Sequence, residues 1–341
     1  MEEPYDLGRL RLSMAGSGNP WTAITSFRKG LLRALHDGLA VSDMARVFGK
    51  SLDQIEKELH PMTVANLLVT RGNRYLPTFF IADASETRHV VHHAHTLGRS
   101  LAKHLFALWA QIESICSELS TSRSYSIRNL GFMLVGAHIL DIGLLEALKR
   151  DGTLLRPAPA RPSPDCLQAR YYFWMIEGDL PDLGRYGLDD TELPWPDWHF
   201  LSFGQSWIDG VPNSERDALE ETCVNLVRSN RAINPEALAK RLRVPLLTET
   251  DTSLWSELVE ECAESLAKVY LEKEGELRRL FSTLRASSYA PQSFSEFFCW
   301  YDHVAFASAV DALDAQGLIS IPAHRFTAAL WYATCPIRGV L

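Results

Sequence analysis

Residues 41–83 read VSDMARVFGKSLDQIEKELHPMTVANLLVTRGNRYLPTFFIAD, and the fold expected of the N-terminal part of the chain turns on them. Ser42 is the type of residue whose hydroxyl caps a helix start, and Met44, Ala45, Val47 and Phe48 give the short helix after it an apolar side. Gly49 follows, able to take positive φ where the chain must turn sharply. Ser51 and Gln54 then form a Ser-x-x-Gln capping box, and Leu52, Ile55 and Leu59 share one face of a second short helix. Two short helices cross closely only if the first is thin at the crossing, which Ala45 provides. Pro61 is expected to break the second helix, with a separate short helix over Met62–Leu68. Beyond it, Arg71-Gly72-Asn73-Arg74 sits between β-prone flanks and predicts a hairpin turn.

Working outward, Trp21–His36 carries Ile24, Phe27, Leu31, Leu32 and Leu35 at helical spacing and predicts a preceding helix ending at Asp37-Gly38. The small Ala45, turn Gly49 and apolar Ile55, with the hairpin after them, resemble the helix-turn-helix and wing of winged-helix regulators over residues 24–83. The resemblance implies that Ser51–His60 enters the major groove of DNA, using Lys50, Ser51, Gln54 and Lys57. It also implies that the wing-tip residues Arg71 and Arg74 meet phosphate. Asp53, Glu56 and Glu58 on the same helix run against that use, because carboxylates repel phosphate. Across 24–83, Arg28, Lys29, Arg33, Arg46, Lys50, Lys57, Arg71 and Arg74 face Asp37, Asp43, Asp53, Glu56, Glu58 and Asp83. Eight minus six leaves the segment slightly basic in a chain of net charge −8. The rival reading is a winged helix kept as a protein-interaction or scaffold module that binds no DNA.

The chain has 341 residues, of which 46% are hydrophobic and 22% charged. That gives room for two or three domains with a sizeable core. Its acidic balance argues against non-specific coating of nucleic acid. Six scattered cysteines, at 116, 166, 223, 262, 299 and 335, contain no Cys-x-x-Cys pair. Reduced thiols in a cytoplasmic protein are therefore expected rather than a disulfide frame or zinc site. The N-terminus has no apolar signal core. Phe132–Leu148 is interrupted by His138, Asp141 and Glu146, so no membrane span is expected.

The fold class expected is mostly α (α+β). It begins with an arm over 1–20 and a winged helix over 21–84, followed by a helical spine and bundle over 85–150. A proline-rich linker over 151–169 and a mostly helical sensor or interaction region over 170–341 complete it. Ser85–Leu119 predicts one long helix, a spine or self-association seam. At its start Glu86, His89 and His93 share a face and are candidate metal ligands; a metal-dependent enzyme is therefore a second alternative. Ile127–Arg150 predicts a second apolar helix on which His138 and Asp141 are close enough to touch. The aromatic-rich stretch 170–207 predicts short strands at Tyr171–Ile176 and His199–Phe203. It offers Tyr172, Trp174, Tyr186, Trp195 and Trp198 as walls of a small-molecule pocket or as anchors of an irregular segment. Helices are expected at 214–229, 234–241 and 253–285, the last kinked near Gly275. Another opens at a Ser293/Glu296 capping box and closes at Gly317, before a short strand pair in the tail. Gly-x-Gly-x-x-Gly, a Walker loop, Gly-x-Ser-x-Gly and kinase or zincin signatures are absent.

Overall fold

RYYFWMIE alternates over residues 170–177, and in the computed structural model these residues form a strand that divides the molecule. The described residues are 5–161, 168–192, 198–205, 245–322 and 328–333, with isolated positions 225 and 237. The expected helices at 214–229 and 234–241, and Trp195, lie outside them. The chain is mostly helical with small sheets.

Strand β1 (Leu10–Ser17) pairs antiparallel with β5 (Arg170–Glu177). On the other side of β5 lies β4 (Phe80–Ala82), in parallel. Successive side chains of a strand point to opposite faces. Tyr171, Phe173 and Met175 therefore enter a core with the N-terminal helices, whereas Tyr172, Trp174 and Ile176 enter the larger core of the helical body. Residues 10–17 of the expected arm are thus a paired strand, because Leu10 and Leu12 have an apolar face to cover.

The N-terminal core is closed by α1 (Ser26–His36), α2 (Val41–Phe48), α3 (Leu52–Val64) and the hairpin of β2 (Leu68–Arg71) and β3 (Arg74–Pro77). Helix α4 (Ala84–Glu118) then starts from an Asp83/Glu86 capping box. It packs along the C-terminal helix α8 (Phe294–Ala315) so closely that a Cβ on Gly98 would collide with the Ala305 carbonyl oxygen. Against α8 packs α5 (Ile127–Asp151), whose middle, Phe132–Gly143, is wound as a wide π-helix and buried throughout. By length and hydropathy α5 could cross a bilayer, but its apolar window is covered by the protein's own helices, as in a core helix.

The region expected as one helix over 253–285 is two, α6 (Glu249–Leu271) and α7 (Glu274–Thr283). The break precedes Gly275, and Thr248 supplies the N-cap. Ser293 makes no side-chain cap: its Oγ donates to the Ala290 carbonyl, and Glu296 turns instead to Arg161. Gly317 does follow the last turn of α8 with φ 72°. Among the described strands β6 (Tyr186–Glu192), β7 (Trp198–Gln205), β8 (Leu246–Leu247) and β9 (Ala328–Ala333) form a four-stranded sheet ordered β6-β7-β9-β8.

Residues 151–161 do not behave as a free linker. Arg161 is buried, its Nη1 lying 2.6 Å from Glu296 Oε1 and donating to the Tyr171 carbonyl. Because β5 lies between two strands that precede the proline-rich segment, the chain does not divide there. The sheet ties both halves together.

Candidate nucleic-acid interface

Helix α2 begins one residue before Ser42, with Ala40 at its cap and no side-chain cap bond. It ends on Gly49 in the left-handed region, φ 62° and ψ 37°, where the Lys50 N–H reaches the Ala45 carbonyl at 2.9 Å. Ser51 reopens the chain as α3: the Gln54 N–H donates to Ser51 Oγ at 3.2 Å, and the Ser51 N–H donates to Gln54 Oε1 at 2.9 Å. Both donors would otherwise be orphans of the first turn. The cap occupies Ser51 Oγ and Gln54 Oε1, and the Gln54 amide N–H groups are the part of that side chain still able to donate outward.

Helix α3 runs through Pro61 to Val64 rather than breaking there. The proline forfeits one backbone bond. The burial of Met62 one residue later keeps the last turn docked. Only Ile55, Leu59 and Met62 of α3 are buried. Lys50, Ser51, Leu52, Asp53, Gln54, Glu56, Lys57 and His60 are exposed. Glu58 is drawn aside by Arg28, whose Nε donates to its Oε2 at 2.9 Å. Arg46 is paired with Asp43 at 2.8 Å on the surface of α2.

In the hairpin, Arg71 faces Arg74 across the turn and Gly72 takes φ 58°, so two exposed guanidiniums flank the tip. Among the described residues Arg74 makes a long contact, 3.5 Å, to the Gly38 carbonyl. Over residues 46–57 and 71–74, Arg46, Lys50, Lys57, Arg71 and Arg74 stand against Asp53 and Glu56. Five minus two leaves three positive charges, or two once Asp43, the partner of Arg46, is included, against −8 for the whole chain.

The other candidate groups are placed differently. Tyr172, Trp174 and Tyr186 are core residues, 4%, 0% and 5% exposed. Tyr172 Oη donates to the Arg156 carbonyl at 2.6 Å and Tyr186 Oη to Asp311 Oδ1 at 2.8 Å; burial pushes both phenols far up. Their hydroxyl bonds anchor β5 and β6 to the helical body. Trp198 is placed on β7 opposite Ala333.

The trio Glu86, His89 and His93 does not converge. Glu86 turns to His36, His93 is held between Tyr301 Oη at 2.7 Å and Glu276 Oε1 at 2.8 Å, and His89 is exposed. The groups that do meet Glu86 are His36, at the end of α1, and Asp83, its own N-cap. Nothing local in the sequence brings His36 to Asp83 and Glu86. On α5, His138 Nδ1 accepts from Trp255 Nε1 at 3.0 Å. Burial lowers His138 to about 4 and raises Asp141 to about 7, the latter only partly opposed by Lys149.

Comparison of the chain with protein-family models, with curated proteins and with solved structures returns no match.

Proposed function

We propose that the chain is a cytoplasmic regulator of the winged-helix kind that binds duplex DNA through α3 and the β2–β3 hairpin. The observation carrying this reading is the openness of α3: one face is spent on Ile55, Leu59 and Met62, and the opposite face, with Lys50, Gln54 and Lys57, meets solvent. The withdrawal of Glu58 to Arg28 removes one of the three carboxylates that opposed it. In this arrangement Lys50, Gln54 and Lys57 reach base edges, Ser51 holds the helix start, and Arg71 and Arg74 neutralise phosphates beside the groove.

A salt-titrated binding isotherm on a duplex of mixed sequence tests it. Each phosphate contact contributes about 0.9 to the slope of log affinity against log salt, so Arg71→Ala/Arg74→Ala lowers that slope by about 2. An unchanged slope removes the wing from the interface, and no binding by the native chain at low salt defeats the reading altogether.

A second reading has an observation of its own. Leu52, Val64 and Val69 are 50%, 62% and 36% exposed on α3 and β2. In the alternative reading these residues are the points at which α3 and the hairpin meet a protein partner or a second copy of the chain.

A further inference from the structure

Where α1 ends and α4 begins, three side chains with metal-ligating atoms come together: His36, Asp83 and Glu86, their donor atoms all within 4.8 Å of one another. His36 is fully buried and the two carboxylates are half-buried. We propose that this cluster is a divalent transition-metal site of the zinc, cobalt or nickel class, with His36 Nε2, Glu86 Oε2 and Asp83 Oδ2 as its protein ligands. It stands independently of the DNA-binding reading.

Geometry comes first. His36 Nε2 and Glu86 Oε2 are 3.0 Å apart. Metal–ligand bonds of about 2.0–2.1 Å at tetrahedral angles set neighbouring ligand atoms about 3.3 Å apart, so this pair admits an ion with a shift of a few tenths of an ångström, and the Asp83 carboxylate, within 4.8 Å of both, turns in to complete the set. One nitrogen and two carboxylate oxygens suit borderline cations, and three protein ligands leave a fourth position for water.

The surroundings supply the outer contacts that orient metal ligands. Tyr289 Oη lies 2.9 Å from His36 Nδ1. A phenol can accept the ring N–H as readily as donate, which frees Nε2 to bind. The Arg285 N–H donates to Glu86 Oε1 at 2.6 Å, while Oε2 faces His36 Nε2 and also accepts the Asp83 N–H at 3.0 Å, so backbone donors orient both oxygens and Oε2 keeps one lone pair for an ion. Asp83 Oδ1 is held by the N–H groups of Ser85 and Glu86, at 2.8 and 2.9 Å, so Oδ2 is the oxygen left for a ligand.

Charge agrees. The neighbouring ion pairs are balanced among themselves, Arg33 and Arg285 against Asp37 and Glu177. Asp83 and Glu86 therefore add two further negative charges, the amount a divalent cation cancels. The bound ion would clasp α1 of the N-terminal core to α4 and to the turn Ala286–Tyr289.

Chelator-stripped full-length protein titrated with Zn²⁺, and with Co²⁺ for its visible spectrum, provides the test. The expected result is one ion per chain, with a melting temperature that rises with free metal because the ion binds the folded state. Asp83→Asn separates ligation from folding: asparagine caps a helix as well as aspartate does, so the variant should melt as the stripped native protein does and lose the metal-dependent rise. Tyr289→Phe, which removes only the outer contact, should weaken binding about 10- to 100-fold. His89→Gln/His92→Gln/His95→Gln, which clears the exposed imidazoles of α4, should bind as the native chain does. The proposal is overturned if the stripped protein takes up no stoichiometric metal, if Asp83→Asn keeps the metal-dependent rise, or if the triple histidine variant loses it.

Discussion

The outer face of α3 and the polar seam inside the helical body both place titratable side chains on helices, and they treat them in opposite ways. On α3, Lys50, Gln54 and Lys57 stand in solvent with capacity to spare. In the body, His138 accepts from Trp255, and Asp302 Oδ1 accepts from Tyr270 Oη at 2.5 Å. His303 is held by the Cys299 carbonyl at 2.7 Å. Burial drives His138 and His303 down to about 4 and Asp302 well up, so these groups sit in the fold uncharged. The seam has the perturbed ionisation often associated with active sites, yet its groups are enclosed and already paired. A shifted pKa, then, records burial first; access and unspent hydrogen-bonding capacity mark a surface that can meet a partner.

The comparison breaks most readily at the buried pair Arg161–Glu296. Both side chains are almost wholly enclosed. Removing one partner leaves the other charge stranded, so Arg161→Ala is expected to cost about 3–5 kcal/mol in urea unfolding. A cost typical of a surface residue, within about 0.5 kcal/mol, would restore the proline-rich stretch to the status of a loose linker.

Asp141 sharpens the same contrast through pH. Burial penalises its carboxylate and raises the folded pKa to about 7. The ordinary value is roughly 3.9. A raised pKa means that its stabilising contribution is complete below about pH 4 and lost as pH rises through about 7. Asp141→Asn does not titrate, so the native chain should become less stable relative to the variant across that interval, by on the order of 2–4 kcal/mol. His138 titrates in both proteins and cancels in the difference. A stability difference that is flat with pH would mean that water reaches Asp141 after all.

Much of this division was legible in the sequence and some of it was not. The Gly49 bend, the Ser51/Gln54 box, the hairpin and the long α4 are local matters, fixed by residues within a few positions of one another. The aromatic stretch announced a strand at Tyr171–Ile176, but periodicity could not say that both of its faces would be buried, one in each core. Nor could it supply the partners of Glu86. Helical spacing pointed to His89 and His93, whereas the fold brings in His36 from fifty residues upstream. Glu58 is the same lesson on the outer face: read along the helix it opposes DNA, and in space it is spent on Arg28.

Ser51→Ala is a smaller probe. It removes the hydroxyl that accepts the Gln54 N–H at the start of α3. Loss of such a cap costs on the order of 1 kcal/mol. If α3 is the reading helix, affinity for duplex DNA should fall as its first turn frays, even though Ser51 is exposed. Equal stability in urea would mean that Asp53 or solvent satisfies the turn equally well.

The smallest effect expected is on stability, and it separates the two readings of the outer face. Leu52 and Val64 are exposed and contribute little to either core. Leu52→Ser/Val64→Ser should therefore leave the unfolding free energy within about 0.5 kcal/mol for each substitution. Neither carries charge, so the salt slope for DNA should not move. What the pair does supply is apolar area that two copies of the chain, or a protein partner, can bury. Sedimentation of the native chain and the variant at matched concentrations therefore discriminates: association present in the first and lost in the second assigns this apolar surface to protein contacts. Identical behaviour, with the DNA slope intact, leaves the charged rim of α3 and the hairpin as the surface that acts.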